Sequence, residues 1–175
     1  MINARINITK LLFKYTPIIL LFSSILNEID FNNLGLKYFS FNFSYILIFY
    51  YSLRRSESLG YTYIFIAGLF NDVMNGIPMG TSSLSFLLIC AATSYLRNIT
   101  LRPNMIKDWI FFLITISFLN FISFIVLMLI FKQELDHFDQ IINITWTFLL
   151  YLVFSYLFNI YDNILLGKLN VRWKF

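Results

Sequence analysis

Apolar residues run through this 175-residue chain in long blocks, and charges fall mostly between the blocks. A helix that crosses the hydrocarbon core of a bilayer needs about 20 mostly apolar residues, with a range of roughly 17–25. The first block spans about 11–29, from Leu11 to Ile29, and only Lys14 interrupts it, close enough to the end to snorkel. Arg5 and Lys10 resemble the basic start of a secretory signal. Asn27-Glu28-Ile29-Asp30 follows without a small-residue cleavage site, so an uncleaved span is expected. The second block, about 36–53, is free of charge from Tyr38 to Leu53, but it is short and Asn42 and Ser44 weaken it. From Ser58 to Leu96 the only charge is Asp72, and the cluster Asn75-Gly76-Ile77-Pro78-Met79-Gly80 breaks a stretch too long for one helix. That predicts a third span at about 59–75 and a fourth at about 79–96, joined by a tight hairpin. Trp109 to Phe131 (109–131) forms the fifth and Gln140 to Tyr161 (140–161) the sixth. The links are short, and no repeat or low-complexity tract intervenes. The expectation is an all-α integral membrane protein, a single polytopic domain over 1–175 with six transmembrane helices.

Composition narrows the classes. The chain is 59% hydrophobic and 13% charged, whereas a soluble domain carries about 25% charged residues. Its 13 Lys+Arg and 9 Asp+Glu are too few to cover a water-soluble globule, which excludes a soluble enzyme and a disordered tail. One Cys excludes an intramolecular disulfide and a Cys-rich metal site, and one His excludes any two-histidine mechanism. The charges are also sorted. With six spans, one side collects Arg5, Lys10, Lys14, Arg54, Arg55, Arg97, Arg102, Lys107, Lys168, Arg172 and Lys174, or 11 of the 13 basic residues. The other side holds only Lys37 and Lys132. The positive-inside rule then predicts cytoplasmic termini; a five-span layout would strand Lys168, Arg172 and Lys174 outside. The formal net charge of +4 marks edges that face anionic lipid headgroups. Nucleic acid is not an expected partner, because no soluble basic patch exists.

The most informative polar segment is Gly68-Leu69-Phe70-Asn71-Asp72-Val73-Met74-Asn75-Gly76-Ile77-Pro78-Met79-Gly80. Residues four apart on a helix advance about 400°, so Gly68, Asp72 and Gly76 share a face. Two glycines would let a neighbouring helix approach, with the carboxylate turned toward that neighbour instead of lipid. Such a carboxyl is expected to be hydrogen-bonded or protonated. The competing expectation is plainer: Asp72 and Asn75 satisfy backbone groups where a helix ends. Asn120, at the middle of the fifth span, is expected to make an interhelical hydrogen bond. His137 is expected in a solvated outer loop. Cys90, between Ile89 and Ala91, reads as an apolar filler. Thr81, Ser82, Ser83 and Ser85 lack a base to activate them and read as small packing residues. Tyr38, Trp109, Tyr161 and Trp173 fall near span ends, as interfacial aromatics do.

No HExxH, Gly-x-Ser-x-Gly, phosphate loop or paired acidic motif occurs, so no enzyme, cofactor or metal is expected. The cytoplasmic arginines Arg54, Arg55, Arg97 and Arg102 could clamp a lipid phosphate, but topology accounts for them without a catalytic base.

The stretch from Gly68 to Leu84 resembles the central signature of the rod shape-determining membrane protein family MreD. That signature reads Gly-Leu, then Asp, Gly, Pro or Leu, and Gly, running into a following helix. The matching positions are Gly68, Leu69, Asp72, Gly76, Pro78, Gly80 and Leu84. Many members have Gln-His-Ala after the last glycine, where this chain has Thr81-Ser82-Ser83. The resemblance implies a non-catalytic bacterial inner-membrane subunit of the cell-elongation machinery. Its implied partner is MreC, a bitopic coiled-coil protein, and through it the actin-like MreB, the glycosyltransferase RodA and a penicillin-binding transpeptidase. It further implies a bundle similar to the substrate-binding subunit of energy-coupling-factor transporters. In the alternative reading the chain is the vitamin-binding subunit of such a transporter, with Asn71, Asp72 and Asn75 lining an outward pocket.

Overall fold

The computed structural model describes residues 14–25, 41–55, 59–99, 105–129 and 137–170. Among these residues there are six helices and no strand: α1 (Lys14–Ile25), α2 (Phe43–Arg54), α3 (Tyr61–Asn75), α4 (Thr81–Ile99), α5 (Met105–Leu129) and α6 (His137–Asn170). Each apolar block holds one helix, but the limits shift. α5 starts four residues before Trp109, and α6 runs from His137 past Tyr161 to Asn170. His137, expected in a loop, is therefore the first residue of a helix. Two helices are long and apolar enough to cross a bilayer, α5 over Met105–Met128 and α6 over Gln140–Ile164. α2 has only 12 residues, a length of about 18 Å. Tyr38, Trp173 and the loop charges Arg5, Lys10, Lys37, Arg102, Lys132, Arg172 and Lys174 lie outside the described residues.

The short α2 is the axis of the core. Seven consecutive residues, from Ile46 to Ser52, are buried, and a helix enclosed on every face must be surrounded by others. Phe49 packs against Phe112 of α5 (4.9 Å between ring centres) and Tyr151 of α6 (5.6 Å). On another side Tyr45 meets Phe86 of α4 edge-on at 5.8 Å, and the Ser52 hydroxyl lies 3.4 Å from the Cys90 thiol. The polar residues that weaken this block in the sequence are matched across the bundle. Asn42 donates from Nδ2 to Asn143 Oδ1 (2.9 Å) and from its backbone N–H to Thr147 Oγ1 (3.0 Å). Ser44 meets Ser24 of α1 at 2.9 Å. In an apolar medium such cross-helix hydrogen bonds are each worth about 0.6–2 kcal/mol, and an unmatched polar group costs more.

The same contacts fix helix directions. The start of α2 meets the end of α1 and the early part of α6, through Ser24 with Ser44 and Asn42 with Asn143. Its far end meets the start of α5 and the late part of α6, through Arg54 with Asp108 and Arg55 with Asp162. α2 and α4 run side by side in one direction, since Tyr45 meets Phe86 and Ser52 meets Cys90. α3 forms a hairpin with α4. Successive helices thus alternate in direction, and Thr16 of α1 reaches the Tyr161 hydroxyl of α6 at 3.1 Å. One stripe of α5 is exposed and mostly apolar, formed by Ile106, Ile110, Ile114, Phe118, Phe121, Ile125 and Met128. A water-facing helix would carry charges there.

Candidate functional site

The Gly68–Gly80 segment builds the turn between α3 and α4, and each of its marked residues has a distinct place. Gly68 lies against α4. A β-carbon at that position would stand 2.6 Å from the Ser83 nitrogen and would overlap the Ser83 Cα. Backbone meets backbone there, and the Ser83 hydroxyl uses the proximity to donate to the Phe65 carbonyl at 3.0 Å.

One turn later Asp72 is 0% exposed. Its Oδ2 accepts the Gly80 N–H at 2.7 Å and its Oδ1 accepts the Ser82 N–H at 2.8 Å. The first amides of a helix have no partner within it, and the helix dipole favours an anion at that end. A carboxylate near the end of α3 therefore caps the start of α4. Asn71 adds a bond from Nδ2 to Ser82 Oγ at 3.0 Å. With both carboxylate oxygens taken by backbone and no surface exposed, Asp72 offers nothing to an outward solute pocket. That counts against the vitamin-binding alternative.

Gly76 does not serve close approach, contrary to the expectation from its spacing. Its β-carbon would meet nothing within 4 Å, and its φ of 62° is left-handed. It ends α3: the Gly76 N–H goes to Val73 O (3.4 Å) and the Ile77 N–H to Asp72 O (3.0 Å), the paired bonds of a Schellman motif. Gly80 has φ 102° and likewise faces open space, so conformation selects glycine there too. Between them the Pro78 carbonyl accepts the Thr81 N–H (3.3 Å) and hydroxyl (2.8 Å). Because Gly76 answers to backbone shape, Gly76→Ala should cost about 1 kcal/mol and Gly76→Asn less, since Asn tolerates left-handed φ. Unfolding of the two variants in mild detergent would rank them; equal losses would refute the conformational account.

The remaining polar residues divide. Cys90 is buried, and its carbonyl accepts both the Thr93 and Ser94 hydroxyls, at 2.9 and 2.8 Å. Ser85 bonds its own helix at Thr81 O (3.0 Å) and meets Ser123 of α5 at 3.3 Å. Trp109 stacks on Phe148 with ring centres 4.3 Å apart and donates its indole N–H to the Phe148 carbonyl at 3.0 Å. It ties α5 to α6, a role beyond a membrane-interface belt. Asn120 donates to Ile116 O of its own helix at 2.8 Å. The expected interhelical bond is not made within the described residues.

Two arginines assigned to lipid headgroups from the sequence are instead paired with carboxylates. Arg54 Nη2 lies 3.2 Å from Asp108 Oδ2, and Arg55 Nη1 lies 3.1 Å from Asp162 Oδ1. The second pair is the more enclosed, with side chains 13% and 9% exposed. Arg55 also stands over the Tyr51 ring, 5.7 Å from its centre. A sequence signal for these pairs existed: Asp108 and Asp162 sit at the ends of the fifth and sixth blocks on the side of Arg54 and Arg55. Removing one partner strands the other near low dielectric. Asp162→Ala should therefore destabilise the bundle by about 2 kcal/mol, while Arg55→Ala in the same chain should restore part of the loss. A double-mutant cycle measures the coupling, and strict additivity would show that the pair contributes nothing.

Among the described residues no group of three or more His, Cys, Asp or Glu comes together to hold a metal ion. Instead the site is a packed hairpin, in which every marked residue serves a backbone approach, a cap or a turn. A profile of the family described as rod shape-determining protein MreD matches residues 8–168. This chain belongs to the MreD family. The matched region takes in the Gly68–Gly80 hairpin, α1 to α5 and nearly all of α6. MreD proteins are membrane proteins with a role in determining rod shape, in keeping with the apolar α5 and α6 of this member. No curated protein and no solved structure matches the chain. In this MreD chain the family-like residues Gly68, Asp72, Gly76 and Gly80 all act between α3 and α4.

Proposed function

We propose that this MreD-family chain is a non-catalytic scaffold of the cell-elongation complex. In this reading it is a single polytopic domain in the bacterial inner membrane, with six transmembrane helices and both termini cytoplasmic. It binds MreC and helps couple MreB to peptidoglycan synthesis by RodA and a penicillin-binding transpeptidase. Family membership carries the reading. The placement of the polar side chains supports it: Asp72, Arg54, Arg55, Asp108 and Asp162 all bond within the bundle. The exposed stripe of α5 is mostly apolar, as suits contacts with lipid and partner helices. Alternating helix directions favour an even number of crossings, which agrees with the sorting of basic residues. In this reading the six helices form a bundle similar to the energy-coupling-factor substrate subunits, with the 12-residue α2 as its enclosed member. Short or irregular backbone is tolerated at membrane depth when protein encloses it. The Gly68, Asp72, Gly76, Pro78 and Gly80 motif then acts on partners indirectly, by holding α3 and α4 as one unit.

The test is co-purification from membranes together with depletion. MreC should be recovered with the chain, and rod-shaped cells should round up when it is withdrawn. Retention of rod shape without MreC recovery would sink the reading.

A further inference from the structure

Asn120 is a polar residue of α5 that the hairpin and the ion pairs leave without a role. It lies within the span Met105–Met128 of α5. Its single hydrogen bond among the described residues runs from Nδ2 to Ile116 O of the same helix. A carboxamide carries two N–H donors and an acceptor oxygen. Among the described residues one donor and the oxygen are therefore unmet, and the side chain is part-exposed. The core side of α5 is marked by Phe112, Ile116 and Leu119, all buried. At about 100° per residue, Asn120 stands roughly 80° and Ser117 roughly 140° around the helix from Phe112. Asn120 thus lies on one flank of α5, just beside the core face, and Ser117 lies at the near edge of the exposed stripe. Ser117 is exposed and makes no hydrogen bond to the described residues.

Lipid tails supply neither donors nor acceptors, so an amide on such a flank gains by finding a protein partner. The unmet groups on Asn120, one donor and one acceptor, are complementary to themselves. Two copies inserted in the same orientation place Asn120 at the same depth and run their α5 helices in parallel. A two-fold axis along the membrane normal then sets each amide against the other, where each N–H can donate to the opposite oxygen. Ser117, small and one turn away, lets the helices come close at the level where they meet. A foreign helix would need a polar residue at a matching depth, whereas a second copy has one by symmetry.

We propose that the Ser117–Asn120 flank of α5 is a self-association surface, through which two copies of this chain form a parallel dimer held by reciprocal Asn120 amide bonds. Nothing in this depends on which complex the chain serves. The test uses the full chain in native membranes, with Cys90, the only cysteine, replaced by alanine. Single cysteines are placed as Ser117→Cys and, on the other flank of the exposed stripe, Phe118→Cys, with Asn120 kept in both, then oxidised with copper-phenanthroline. Disulfide-linked dimers should form at 117 and not at 118. In a parallel measurement on the chain with its native Cys90, Asn120→Leu, close in volume and apolar, should weaken dimerisation in bilayers about tenfold by single-molecule photobleaching. Asn120→Gln should retain more of it. The proposal is overturned by monomers at all protein-to-lipid ratios, by cross-linking that favours 118, or by a dimer indifferent to Asn120→Leu. Cross-linking at 117 to a different membrane protein would equally overturn it.

Discussion

Gly68→Leu should prevent α3 and α4 from closing, and it is the most damaging single change expected in this chain. The space that a side chain would need is occupied by the Ser83 backbone, with its nitrogen 2.6 Å from the position of a β-carbon. A flexible side chain could turn away from an intruding group, but helix backbone cannot. Relief requires the two helices to separate, which breaks the Ser83 to Phe65 bond and draws Asp72 away from the amides it caps. Overpacking in a close-packed interior costs about 1–3 kcal/mol and occasionally more; this site should reach at least the top of that range. Cys90→Ala, which only trims a buried atom group, should cost about 1 kcal/mol. Protease resistance and partner recovery in mild detergent would compare them. Equal behaviour of Gly68→Leu and Cys90→Ala would refute the close-contact account.

Asp72→Ala should rank next. It removes the acceptor for two amides, Gly80 N–H and Ser82 N–H, in a site with no exposed surface. A buried donor left unmet costs about 1–3 kcal/mol, so the pair should lose about 3 kcal/mol together. Asp72→Asn keeps an acceptor oxygen but turns an NH2 toward one of the two amides, so it should recover less than half of the loss. The measurement that separates a cap from a ligand site is the stability of the isolated chain. A cap predicts that Asp72→Ala weakens folding with no solute present. Full stability in Asp72→Ala, accompanied by loss of saturable solute binding, would return the carboxylate to a binding role.

The number and rough position of the helices were legible because the bilayer imposes a simple demand. Hydrocarbon offers no hydrogen bonds, so apolar residues must come in blocks long enough for a helix. Two of the six blocks contain helices that meet that length and apolarity outright. The family-like spacing of Gly68, Asp72, Gly76 and Gly80 was also readable as a site. Helical periodicity could not tell a glycine chosen for space from one chosen for backbone shape. Gly68 and Gly76 lie eight residues apart on one nominal face, yet Gly76 sits just beyond the end of α3, where the periodicity no longer applies.

Other features depend on which helix neighbours which. The short block that Asn42 and Ser44 weaken in the sequence proves the most enclosed, with those two residues meeting Asn143, Thr147 and Ser24 on helices far away in sequence. Arg54 and Arg55 read as lipid-facing until Asp108 and Asp162 are brought beside them. The sequence by itself determined that the chain is helical and apolar, where its turns fall, and which family its hairpin resembles. Those properties follow from local hydropathy, glycine and proline placement, and residue spacing, all read within a few turns. Only the tertiary structure decided that α2 is the axis, that Asp72 caps α4, and that the arginines are paired. Each of these is a contact between groups on different helices, and its energy exists only once packing has brought the two sides within hydrogen-bonding distance.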